Sequence, residues 1–175
     1  GLFALAGAGL AQWYMLAGGL SGYGESLRYL PAQTHPWGWS PYVFYLLDAL
    51  FVLAGALSSA IYFTTRRARI KGQAIWDPLT KRLLLNLAIP LAACGIFCLA
   101  MFYQGYLGMG APATLIFYGL ALVNGSKYTL HDLYYLGLCE IVLGCIGLFF
   151  IGWGLLLWTI GFGALHILYG LLMYN

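Results

Sequence analysis

From Leu133 to Tyr174 the chain runs for 42 residues with one charged side chain, Glu140, and one histidine, His166. The only turn signal inside that run is Gly152-Trp153-Gly154. A helix needs about 20 apolar residues to cross a hydrocarbon core, so the run predicts two crossings joined by a tight hairpin. It also leaves two ionisable groups at depths where they are expensive.

The rest of the chain has the same character. Hydrophobic residues make up 62% of it and charged residues 7%, with a mean hydropathy of +0.84. Soluble domains carry about 25% charged residues, so water is not the main solvent here. The 14 Tyr and 6 Trp are residue types that settle at membrane interfaces. The net charge of +3 comes from one local cluster and does not point to nucleic acid. All four cysteines, Cys94, Cys98, Cys139 and Cys145, fall inside apolar runs, which argues against a disulfide framework. The chain starts at Gly1 rather than Met, so a leading segment is expected before it. The first apolar run lacks a basic flank and is followed by further spans, so it reads as a helix rather than a signal peptide.

These features predict a single all-α domain over residues 1–175, a polytopic membrane helix bundle. Six spans are expected, about 2–20, 42–64, 83–103, 111–124, 133–151 and 155–174, arranged as three hairpins. The fourth is short enough to suggest a thin, tilted or re-entrant segment, and a crossing is the favoured reading. Six of the eight basic residues (Arg66, Arg67, Arg69, Lys71, Lys81 and Arg82) fall between spans two and three. The positive-inside rule puts that loop and Lys127 in the cytoplasm, together with both termini. The loop Ser21–Pro41, with Glu25, Arg28, His35, Trp37 and Trp39, then faces outward as an interfacial cap. Gly105, Gly108 and Gly110 read as flexibility in a short outer turn. No internal repeat supports an inverted-repeat transporter.

Counting from the turn pairs the two anomalies. Glu140 lies 13 residues before Trp153 and His166 lies 13 after it. On antiparallel helices they share one depth, where they can share a proton or a hydrogen bond. Gly144, Gly147, Gly161, Gly163 and Gly170 suit tight packing of that hairpin. Asn86, Asn124, Lys127, His131 and Asp132 gather toward the same side and can line a polar cavity. Asp48 sits alone in span two, with Gln12 as its available partner. The plainer readings take precedence. Glu140 and His166 can serve as interhelical glue, and Asn124, Lys127, His131 and Asp132 as an interfacial turn with Asp132 capping span five. Cys94 and Cys98 share a helix face, but no ligand pattern supports a metal there.

Only one histidine lies within the spans, so bis-histidine haem is not expected, and no cofactor is. No HExxH, GxSxG or phosphate-cradling glycine loop occurs, which reads against an enzyme. Two classes remain. One is a non-catalytic accessory, scaffold or sensor component that contacts the lipid bilayer and another membrane protein or a second copy. The other is a transporter or binder of a small molecule, lipid or proton centred on Glu140 and His166.

The second half also carries several long strings. They are Asp77-Pro-Leu-Thr-Lys-Arg-Leu-Leu-Leu-Asn-Leu-Ala-Ile-Pro90, Gly95-Ile-Phe-Cys98, Ala111-Pro-Ala-Thr-Leu-Ile-Phe-Tyr-Gly-Leu-Ala-Leu-Val-Asn124, Ser126-Lys-Tyr-Thr129, Tyr135-Leu-Gly-Leu-Cys-Glu140-Ile-Val-Leu-Gly144 and Phe162-Gly-Ala-Leu-His166-Ile-Leu-Tyr-Gly170. Over roughly Trp76 to Tyr174 they resemble a family of multi-spanning membrane proteins of Bacteroidota. The resemblance implies a bacterial inner-membrane location and a short cytoplasmic segment ahead of span one. It implies no activity, because the family has none established.

Overall fold

The computed structural model describes residues 1–17, 40–70, 72, 76–129 and 132–172. The expected interfacial cap, with Glu25, Arg28, His35, Trp37 and Trp39, lies outside these residues, as do Lys71 and His131. Every regular element among the described residues is helical. Five helical stretches are long and apolar enough to cross a membrane. A sixth, α1 (Leu2–Ala17), is apolar but shorter within the described residues. The described residues therefore form an all-helical bundle with the spans of a membrane protein.

Helix α2 (Pro41–Ile70) has 30 residues, about 45 Å at 1.5 Å per residue. That exceeds a hydrocarbon core of about 30 Å, so one end must emerge from it. The basic residues mark that end. Arg67 and Arg69 sit in the last turn, where cations complement the helix dipole and meet anionic headgroups. Helix α3 (Pro78–Tyr103) starts earlier than hydropathy suggests. Asp77 caps it by accepting the Thr80 amide hydrogen at 2.6 Å, and Pro78 occupies the first turn, where its missing N–H is harmless. Lys81 and Arg82 thus belong to a helix, and the basic segment is two helix ends around a short link rather than a long loop.

At its far end α3 stops on Gly105, whose φ of 87° is one that side chains resist. The Gly105 amide bonds to the Phe102 carbonyl at 3.0 Å and the Tyr106 amide to the Met101 carbonyl at 2.8 Å, which is a Schellman stop. Here the expectation of a flexible glycine turn is corrected. Gly105 is a fixed helix terminator, and Gly108 and Gly110 are already part of the next helical stretch.

Helix α4 (Gly110–Gly125) is extended by single 3-10 turns, Leu107–Met109 before it and Ser126–Tyr128 after it. The combined 22 residues are long enough to cross, which removes the ground for a re-entrant reading. Half of its most apolar stretch is buried, so α4 is the central helix. Helix α5 (Asp132–Phe149) lies along it. After a 3-10 turn at Ile151–Trp153, the last span comprises α6 (Gly154–Trp158), a π-helical segment Thr159–Leu165 and α7 (His166–Leu172).

Consecutive spans do pack in pairs: α1 with α2, α3 with α4, and α5 with the last span. The most extensive packing, however, joins α4 to α5 across two of the expected hairpins. The reason lies in the glycines. A Cβ at Gly144 would stand 2.8 Å from the Pro112 carbonyl oxygen, and one at Gly147 would stand 3.0 Å from Pro112 Cγ. These glycines therefore admit α4 rather than only the hairpin partner. Gly163 admits Leu5 of α1, which fastens α1 to the π segment, while Gly170 faces open space. Helix α2 joins the fold through α1. Gly55 packs against Phe3, and Tyr14 stacks on Phe44 with ring centroids 3.9 Å apart. None of the residues in its most apolar stretch is buried.

Candidate functional site

Glu140 and His166 meet, as their equal distance from the turn predicts. His166 Nδ1 lies 3.4 Å from Glu140 Oε1. Three elements build the contact. Glu140 points inward from α5 with no exposed surface. His166 is the first residue of α7, presented directly after the π segment. Tyr118 comes from α4, and its hydroxyl lies 2.9 Å from His166 Nε2. Sequence reasoning missed Tyr118. Fourteen tyrosines offered no way to single it out, and the two-helix depth count does not include α4.

The hydrogen bonds are distributed unequally. His166 Nδ1 is 3.0 Å from the Gly161 carbonyl, five residues earlier, and donates its hydrogen there. The π segment makes this reach possible, because its wider turn brings the carbonyl of residue i−5 toward residue i. Neither oxygen of Glu140 receives a hydrogen bond. Thus the 3.4 Å contact sets the imidazole beside the carboxyl without a shared hydrogen. Of the two residues expected as interhelical glue, His166 makes the bond, to Tyr118, and Glu140 makes none.

The walls are tight and aromatic. Phe162 stacks on His166 with centroids 5.7 Å apart, and it also touches Tyr118 and Trp158. Trp158 donates from Nε1 to Thr114 Oγ1 at 3.1 Å, a second polar link between α4 and the last span. Gly161 lies flat against the Glu140 carboxyl, and a Cβ there would also stand 2.6 Å from Leu115 Cδ2. Only glycine lets the acid come this close to the helix.

The other candidates do not join this cluster. Asn86 donates to the Arg82 carbonyl at 2.8 Å within its own helix. Asn124 accepts from Lys127 Nζ at 3.4 Å on the surface. Asp132 is exposed in the first turn of α5. None of these described residues bonds to Glu140 or His166. Concave surface among the described residues occurs beside Tyr62 and Arg66 and beside Tyr103 and Gln104, away from Glu140. Asp48 lies in the α1–α2 contact, where its carboxyl faces Gly7. No hydrogen bond joins it to Gln12, and Asp48 Oδ1 and Gln12 Oε1 are both buried without a donor. Cys94 and Cys98 approach to 3.9 Å, whereas Cys139 and Cys145 face outward, so the four do not converge. Among the described residues, no three His, Cys, Asp or Glu side chains come together as metal ligands.

Fold and site together define a helical membrane protein whose core is tied by a Tyr–His hydrogen bond beside a buried acid. No family model, curated protein or solved structure matches the chain.

Proposed function

We propose that this protein is a non-catalytic component of a membrane assembly, an accessory, scaffold or sensor subunit. The observation that carries the reading is where the polar groups of the core are spent. Tyr118, His166, Thr114 and Trp158 bond to one another or to backbone, and together they tie α4 to the last span. The concave surfaces beside Tyr62 and Arg66 and beside Tyr103 and Gln104 do not include these groups. Among the described residues nothing buries the apolar stretch of α2, which supports the same reading, since it leaves a long helix face to contact lipid, a partner protein or a second copy. The resemblance noted for residues 76–174 favours a bacterial inner membrane. The basic helix ends around residues 66–82 favour a cytoplasmic position for that side, with both termini on it.

Mass spectrometry of the protein purified in mild detergent tests the reading. A stoichiometric protein partner supports it, and a stoichiometric small molecule without a protein partner overturns it. Orientation is tested separately with Trp76→Cys in intact cells. Labelling of that exposed position by a membrane-impermeant maleimide before lysis would reverse the assigned topology.

A further inference from the structure

Glu140 is the only charged side chain buried among the described residues, and both its oxygens lack a hydrogen-bond donor. A carboxyl group in such a place is stable only if it holds a proton or has a cation beside it. His166 is the group positioned to supply the cation. Its Nδ1 faces the Gly161 carbonyl at 3.0 Å, and a carbonyl oxygen only accepts, so Nδ1 carries a hydrogen. The proton that the imidazole can gain or lose is therefore the one on Nε2. That nitrogen lies 2.9 Å from the Tyr118 hydroxyl, which can donate or accept.

We propose that Glu140 and His166 form a buried binding site for one exchangeable proton, loaded through the Tyr118 hydroxyl onto His166 Nε2. In the empty form a carboxylate stands uncompensated beside a neutral imidazole whose Nε2 accepts the Tyr118 hydrogen, and that cost is what drives the site to take up a proton. On loading, the hydroxyl hydrogen passes to Nε2 while an incoming proton replaces it on the Tyr118 oxygen. Tyr118 is unchanged, the imidazole has become imidazolium, and its charge offsets the Glu140 carboxylate 3.4 Å away.

The ligand is a proton rather than a metal ion. A metal cation needs several converging oxygens, and here the Nδ1 hydrogen already occupies the Gly161 carbonyl and points a positive edge at the carboxyl. The His166 side chain is 20% exposed and that of Glu140 is 0% exposed, so the imidazole is the less buried member of the pair. Other titratable groups near the pair are few. Tyr118 faces it from α4, and α1 brings the Gly1 amino group alongside the last span near Ile167. Asp132, eight residues before Glu140 on α5, is about 12 Å away along the helix. The inference goes beyond the assembly role proposed above and does not depend on it.

The test is nitrogen NMR of the full chain, labelled with 15N-histidine and held in lipid nanodiscs, titrated from about pH 5 to 8. The variants His35→Asn and His131→Asn assign the other two histidines. The expected result is a His166 signal that moves between the Nδ1–H neutral form and the doubly protonated form. Glu140→Gln should abolish the doubly protonated form in that range. Tyr118→Phe should slow proton exchange by about tenfold or more. A His166 signal that stays neutral throughout, or that titrates identically in Glu140→Gln, overturns the site. Unchanged exchange in Tyr118→Phe overturns the loading route. The wild-type titration decides the matter even if a variant does not fold, and the copurification result does not bear on it.

Discussion

Gly119 on α4 and Gly137 on α5 face one another with no room for a side chain on either. A Cβ on Gly119 would stand 2.5 Å from the Gly137 carbonyl oxygen, and a Cβ on Gly137 would stand 2.7 Å from the Gly119 carbonyl oxygen. The obstacle is backbone on both sides and cannot rotate away. Alanine normally favours a helix over glycine by about 1 kcal/mol. Forcing two central helices apart costs more, about 1–3 kcal/mol for an overpacked contact. Gly119→Ala and Gly137→Ala should therefore each lower thermal stability in detergent. Gly95→Ala, which meets open space, should leave it unchanged or raise it.

Glu140 gives the opposite sign. Its oxygens receive no hydrogen bond, so removing them abandons no partner except the neighbouring His166 ring. A buried unsatisfied polar group costs roughly 1–3 kcal/mol. Glu140→Met, of similar length and apolar, should thus keep or raise the unfolding temperature. A marked loss of stability in this variant would show that the acid is a structural tie after all. Retained stability means that the acid is there for something other than holding the fold.

The crossings and the Glu140–His166 pairing were legible because both rest on spacing alone. Apolar length sets a span, and equal distance from a turn sets equal depth. Tyr118 and Gly161 were illegible for the complementary reason. Tyr118 enters from a helix whose rotation no sequence period reveals, and Gly161 O becomes the His166 acceptor only through a π segment, which has no sequence signature. The helix ends were misjudged for another reason. Hydropathy ends where the charges begin, at about residues 64 and 83, but Asp77, Pro78 and the arginines of α2 are good helix-terminal residues that carry both helices into the interface. A capping rule applied at Asp77 would have found the start of α3.

That cap is sensitive to pH. Hydrogen bonds from Thr80, first through its side chain and then through its backbone, hold the Asp77 carboxyl below the usual carboxylate range. A carboxyl lowered in the folded state stabilises it above the unfolded value and loses that contribution as pH falls through the folded value. Exchange protection of the Thr80 and Lys81 amides, taken relative to their intrinsic rates, should therefore be high near neutrality and fall at acid pH. In Asp77→Ala exchange at these amides should already be fast at neutrality and lack the acid transition. An acid transition that survives in the variant would assign it to another group.

The last span is tied to α4 by two polar links at different levels, Trp158 to Thr114 and His166 to Tyr118. Thr114 Oγ1 also donates to the Ala111 carbonyl at 2.8 Å, so its lone pair is held ready for the indole. Thr114→Val keeps the volume but leaves the indole N–H without an acceptor. A neutral hydrogen bond contributes about 1 kcal/mol, and an orphaned donor adds its desolvation cost. Tyr118→Phe removes only the hydroxyl and should cost a similar amount. The links share the π segment between residues 158 and 166, so they should not be independent. Combining Thr114→Val with Tyr118→Phe should cost more or less than the sum of the two by at least about 0.5 kcal/mol in unfolding measurements. Strict additivity would mean that the π segment transmits nothing between Trp158 and His166.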